Sequence, residues 1–208
     1  KKMRGKGLFA ELYKKTESEN LTLHHADCFI VFSNEMSTPI FLEKFEYKRA
    51  QCPLVYFHLF NPYNLLKSGS YEELNNISEI DFSLITNKNN AMVKSAAFFQ
   101  WRYSNYPAKT IRILSVKKKG KQLGYAILKS HKKKGIPFLV LMDLIYQDAS
   151  FYDVLIEECC IYATKNIFAG LLRFESQDSG NNNFWGIKMK DRFNLLVKGN
   201  TPELTDTL

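Results

Sequence analysis

The chain has no apolar run long enough to cross a bilayer. A membrane helix needs roughly 18 apolar residues, and the longest strong run here, residues 136–142, meets Asp143 at once. Nor does an apolar leader core follow Lys1, so a cytoplasmic protein without a membrane partner is expected. Cysteine is sparse and unpatterned. Cys28 and Cys52 fall in strand patterns and Cys159 and Cys160 are adjacent in a helical one, which gives neither a disulfide framework nor metal-ligand spacing. Reduced thiols and no metal are the expectation. His24 and His25 lack neighbouring Cys or acidic ligands and read as surface imidazoles. Acidic residues are in deficit, 21 against 29 Lys and Arg, leaving a net charge of +8.

That excess raises the question of nucleic acid. Much of it lies in residues 117–121 and 132–134, each at a turn between strand patterns. Successive turns of an antiparallel meander fall at opposite ends of the sheet, so the two clusters do not merge into a groove-sized patch. Solvated turns are expected and a nucleic-acid partner is not, while an anionic small ligand fits the charge. At 45% hydrophobic and 24% charged, 208 residues suffice for a folded core, as one large domain or two small ones.

What is present begins with Lys2-Met3-Arg4-Gly5-Lys6-Gly7, which runs into the helix-favouring Leu8-Phe9-Ala10-Glu11-Leu12-Tyr13. Two glycines ahead of a helix leave backbone N–H groups uncovered at its positive end, and Lys2, Arg4 and Lys6 add charge beside them. This is a phosphate cradle in outline; the alternative is a basic turn that merely starts a helix. The helix is predicted over 7–20, with Leu8, Phe9, Leu12 and Tyr13 as its apolar stripe. A strand at 27–32 follows. Ser33 and Asn34 then lead to a short helix with Thr38 as cap and Pro39 at its first position. Residues 52–60 form an aromatic-rich strand that closes a first unit, 1–62. Residues 63–79 read as a linker and 80–208 as a second unit.

In the second unit, Trp101-Arg102-Tyr103 reads as a core-edge anchor, with a substrate clamp as the alternative. Strands at 111–117, 122–130 and 136–146 make an antiparallel meander. A mostly apolar helix at 151–165, capped by Ser150, follows. A strand at 167–175, a short helix around 183–190 and a strand at 192–198 complete the unit. The link 147–150 contains no glycine.

The order loop, helix, strand, Asn, short helix and aromatic resembles the second half of a GNAT acyl-CoA N-acyltransferase domain. The pyrophosphate loop [Q/R]-x-x-G-x-[G/A] is matched by K-M-R-G-K-G, and the N-x-x-[S/A]…Y-x-K-x-G-F segment by Asn34, Ser37, Leu42, Lys44, Glu46 and Tyr47. Leu42 replaces a Tyr that often serves as general acid, and Glu46 replaces Gly. The string W-R-Y-x-x-x-P ahead of a hairpin is similar to the second half of duplicated GNAT-like proteins. The resemblance implies an α/β (α+β) fold, a mixed sheet flanked by helices, in two tandem units of which the first is incomplete at its start. It implies an N-acyltransferase with acetyl-CoA or another acyl-CoA as donor, held by Lys2, Arg4, Gly5, Lys6, Gly7 and Asn34. The acceptor would be a small-molecule or peptide amine in a cleft edged by Trp101, Arg102 and Tyr103. Glu35 and Glu43 are conceivable bases, but no catalytic residue is assigned. The alternative is a noncatalytic GNAT-like binding module. The missing first half of the donor domain leads to the expectation that further chain precedes Lys1.

Overall fold

The structure is a computed structural model, and it describes residues 7–50, 54–85, 94–104, 106, 110–175, 186–189 and 194–199. In chain order the elements are α1 Leu8–Leu23, β1 Cys28–Ser33, α2 Thr38–Lys44, β2 Lys48–Arg49, β3 Leu54–Leu59 and β4 Tyr71–Leu74. They continue with α3 Ala96–Tyr103, β5 Ile111–Lys118, β6 Lys121–Lys133, β7 Ile136–Ile145, α4 Tyr152–Lys165, β8 Gly170–Glu175, β9 Ile187–Lys188 and β10 Asn194–Gly199. The chain divides into two compact units. One comprises Lys1–Leu54 with Ser176–Asp178 and Lys190–Leu208, the other Val55–Glu175 with Ser179–Met189.

In the first of these, β1, β10 and β2 form an antiparallel sheet, with Cys28 opposite Gly199 and Ser33 opposite Asn194. Its core is a compact group of rings. Phe41, Phe45, Tyr47 and Leu196 are buried, and Tyr13 of α1 inserts against Phe45 at 4.4 Å between centroids. Aromatic area supplies most of the apolar burial a sheet this small can make. Of the stripe expected on α1, Tyr13 packs into this core, while Leu8, Phe9 and Leu12 are 47%, 55% and 66% exposed, with Phe9 touching the Phe45 ring edge-on. The helix also runs past its expected end at residue 20, where Asn20 and Thr22 bond back to the carbonyls of Thr16 and Ser18.

The second unit is built on a mixed sheet of order β4-β5-β6-β7-β8-β3-β9. The expected meander is present. Its two turns, Lys119-Gly120 and Lys134-Gly135, have positive φ at both central residues, the twist-matched geometry of two-residue hairpins. Alternate residues serve opposite faces. Ile113 and Ile127 join Phe99 and Tyr103 of α3 in one core, and Leu114, Ala126 and Leu128 join Cys159, Tyr162 and Ala163 of α4 in the other. Cover on both faces explains why the central strands read as nearly continuous apolar runs.

Several local expectations change. Strand β10, expected in the later unit, pairs with β1, and β3, expected to close the first unit, lies in the seven-stranded sheet. The stretch 63–79, read as a linker, supplies edge strand β4, which pairs with β5 from Tyr71↔Val116 to Leu74↔Ile113. Within 183–190, where a short helix was expected, Ile187 and Lys188 pair with Phe57 and Tyr56. Strand pattern specifies which face is apolar but not which strand lies alongside.

Candidate functional site

In the seven-stranded sheet, β7 and β8 are parallel and pair at Leu139↔Leu171 and Val140↔Leu172, then the ladder stops although β7 runs on to Ile145 and β8 to Glu175. Just past that point Leu128 faces Leu141 while Ile127 faces Asp143, so Met142 is an extra residue on β7. Such a bulge bends the strand and re-aims its neighbours. Parting strands leave main-chain donors and acceptors on their facing edges outside the ladder, a place for a ligand to pair with backbone.

Asp143 follows the bulge and is 8% exposed. Its carboxylate accepts from Lys94 Nζ at 2.5 Å and from the Tyr103 hydroxyl, with Arg102 Nε 3.8 Å away. Ser95 caps α3 by accepting from the Phe98 amide at 3.1 Å, and this fixes the helix that carries Arg102 and Tyr103. Burial, reinforced by the adjacent carboxylate, pushes the Tyr103 phenol above its ordinary range. Of the predicted cleft residues, Tyr103 is thus a buried anchor and Trp101 is 74% exposed. The Arg102 guanidinium lies over the Phe98 and Tyr103 rings at 5.7 and 5.6 Å.

The start of α4, expected to be capped by Ser150, is closed differently. Asp148 Oδ1 accepts from the Ser150 amide at 2.8 Å, opening a 3-10 turn at Ala149–Phe151 before the helix begins at Tyr152. A carboxylate occupies this helix end, and that amide hydrogen bond holds the Asp148 carboxyl below its usual range.

In the unit containing α1, Lys2, Arg4, Gly5 and Lys6 lie outside the described residues. Gly7 is described. It is the N-cap of α1 with φ 74°, no side chain caps the helix, and a Cβ at this position would meet nothing within 4 Å. Asn34 Oδ1 accepts from the Met36 and Ser37 amides at 3.0 and 2.9 Å, so its carbonyl, rather than Thr38, organises the entry to α2. Thr38 instead bonds the Asn34 carbonyl at 2.7 Å. Glu46, at the position where the resemblance puts Gly, has φ 60°. Tyr47 is buried and its hydroxyl bonds that of Tyr13. Leu42 packs beside this ring cluster, while Glu35 and Glu43 are exposed.

Sequence reasoning passed over a second buried polar group. Arg173 of β8 is 1% exposed, donates from Nε to His58 Nε2 and from Nη1 to the Tyr152 hydroxyl, both at 2.8 Å, and lies 4.8 Å from the Tyr56 ring. The signal was available: Arg173 and Asp143 are each a charge with apolar neighbours on both sides within a strand, and a buried charge requires partners.

No protein-family model matches the sequence, and no curated protein matches it. The fold is that of the GCN5-related N-acetyltransferases. One such structure, from Anabaena variabilis, aligns with a TM-score of 0.60 at 12% identity over 94% of this chain and 51% of its own. Another, from Kribbella flavida, aligns with a TM-score of 0.61 at 8% identity over 95% of this chain and 49% of its own. A tandem GNAT protein from the clavulanic acid biosynthesis pathway gives 0.52 at 9% identity, covering 96% of this chain and 72% of its own. The chain therefore spans about half the length of the first two proteins. Among the described residues no helix is long and apolar enough to cross a membrane.

Proposed function

We propose that this chain acts as an acyl-CoA N-acyltransferase of tandem GNAT type, with the donor pyrophosphate at the start of α1. The observation that carries the reading is the asymmetry between two helix starts. At α1 the cap is a left-handed glycine on which an added Cβ would meet nothing within 4 Å, and in sequence the basic residues Lys2, Arg4 and Lys6 precede it. At α4 the Asp148 carboxylate already takes an amide hydrogen bond, and its charge repels a pyrophosphate.

The donor would be acetyl-CoA or another acyl-CoA, with Lys2, Arg4, Gly5, Lys6 and Gly7 around the pyrophosphate and Asn34 shaping the turn into α2. The acceptor, a small-molecule or peptide amine, attacks the thioester carbonyl carbon with its nitrogen lone pair. A C–N bond forms, the C–S bond breaks, the nitrogen loses a proton and the thiolate takes one up. Arg102 and the exposed Trp101 would edge the acceptor site, with Tyr103 holding them through Asp143. Leu42 cannot supply the proton that a Tyr would. That favours one second reading, a GNAT-like module that binds acyl-CoA without turning it over, and release of free thiol in the presence of an amine separates the two.

The test is calorimetric titration with acetyl-CoA of the wild type and of Gly7→Asp. Asp is a good N-cap acceptor, which offsets part of the strain of a side chain at φ 74°, while its carboxylate repels the ligand; circular dichroism of the variant checks that the helix is kept. We expect affinity to fall at least about tenfold, a change of about 1.4 kcal/mol. Unchanged affinity removes α1 from the donor site.

A further inference from the structure

We propose that the unit built on the seven-stranded sheet binds a small zwitterion of the free α-amino acid class, in a cleft between the 3-10 turn Pro62–Leu65 and α4. The cleft has a volume of about 220 Å³ and is lined by His58, Asn61, Asn64, Lys67, Glu157 and Cys160, with Leu59 beside them. It lies on the α4 side of the sheet, whereas Asp143 bonds Tyr103 of α3, whose core is on the other side. It is therefore distinct from the Asp143 cluster.

The key residue is Asn64. It is 6% exposed, and its backbone amide and carbonyl are both used in the turn, yet its carboxamide makes no hydrogen bond among the described residues. The residue as a whole is buried, but its carboxamide is not shut away from solvent, and it borders the open space of the cleft with two donors and an acceptor to offer. At the cleft sit one cation and one anion, Lys67 and Glu157, paired at 2.5 Å with each side chain 46% exposed. An ion pair this exposed is worth little, so a ligand can open it at small cost. Asn61 uses its side-chain carbonyl on the Tyr63 amide at 3.1 Å, which leaves its amino group to donate.

These groups select charge. A carboxylate finds Lys67 and the amide donors, an ammonium finds Glu157 and the Asn64 carbonyl, and a polyanion meets Glu157. Leu59 and Cys160 supply an apolar wall for a short aliphatic side chain. Burial pushes the Cys160 thiol up to about 12, so it remains a neutral wall and not a nucleophile. The turn is well fixed, because Lys67, Asn64 and Leu66 all bond back within it.

The experiment titrates the protein with L-valine, isobutylamine and 3-methylbutanoate, three probes with the same branched end and respectively both charges, the ammonium alone and the carboxylate alone. Saturable heat with L-valine and at least tenfold weaker binding of the two single-charge probes is the expected result. Asn64→Leu, which fills the cleft, and Lys67→Met, a partly exposed change that spares the fold, should each abolish or weaken L-valine binding at least tenfold. Absence of saturable L-valine binding up to about 10 mM, below even millimolar affinity, overturns the proposal. So does an analogue that binds as tightly as L-valine, or undiminished binding by both variants.

Discussion

Glu46 shows how a single residue can mark a motif by being uncomfortable in it. Its φ of 60° is left-handed, a region that costs a side-chain-bearing residue roughly 1–2 kcal/mol, and it is exposed, so no packing requires the carboxylate. Glu46→Gly relieves that strain but frees the unfolded chain, and the net expectation is a gain of about 0.5–1 kcal/mol in urea unfolding. A loss would mean the Glu46 side chain holds the turn. Glu158 of α4 sits in the opposite situation, 7% exposed with one oxygen accepting the Ser70 amide at 2.8 Å. Burial raises its pKa, partly opposed by that amide bond. The folded state therefore holds the proton more tightly than the unfolded chain, and stability falls as pH rises from the ordinary glutamate value through the raised one. Glu158→Gln should be more stable than the wild type at neutral pH, with the difference vanishing below the ordinary glutamate range. Melting scans across pH check this, and a difference that does not depend on pH contradicts it.

Among the elements, β8 approaches β3 closely at Gly170, the described glycine where an added Cβ would meet the nearest atom. A Cβ on Gly170 would stand 2.1 Å from the His58 carbonyl oxygen, which is backbone and cannot rotate away. Gly170→Ala should cost about 2 kcal/mol or more. Gly135, with φ 86° but nothing within 4 Å of a Cβ, should lose only about 1 kcal/mol on the same change. Equal losses in denaturant titration would show that β3 can yield at this position. The same element scale explains what was legible in the chain. The hairpins and α4 were readable because Lys-Gly turns and apolar periodicity are local signals. Caps were harder, since Asn34, Ser37 and Thr38 are all capping types within one turn and only geometry selects Asn34. Strand β4 hid among polar residues because an edge strand half in solvent needs few apolar ones: Glu72 and Glu73 pair with Lys117 and Arg112 instead.

At the scale of the whole molecule, the resemblance carried by residues 2–7 and 34–47 pointed to the fold that the two sheets and the parting of β7 and β8 display. It could not reveal the partners of β3 and β10, because pairing between segments far apart in sequence leaves no mark on either alone. Nor could it reveal the Met142 bulge or the Asp143 cluster, which depend on register. The central claim is that an acyl-CoA binds by its pyrophosphate at the glycine-capped start of α1 and not at the Asp148-closed start of α4. Backbone amide resonances followed during titration with coenzyme A test it most directly, since amides that donate to phosphate oxygens shift strongly. Saturable shifts of the Gly7, Leu8 and Phe9 amides, with Ser150, Phe151 and Tyr152 unmoved, are the predicted result. Shifts confined to the Ser150–Tyr152 amides, or none anywhere at saturating coenzyme A, would contradict the account.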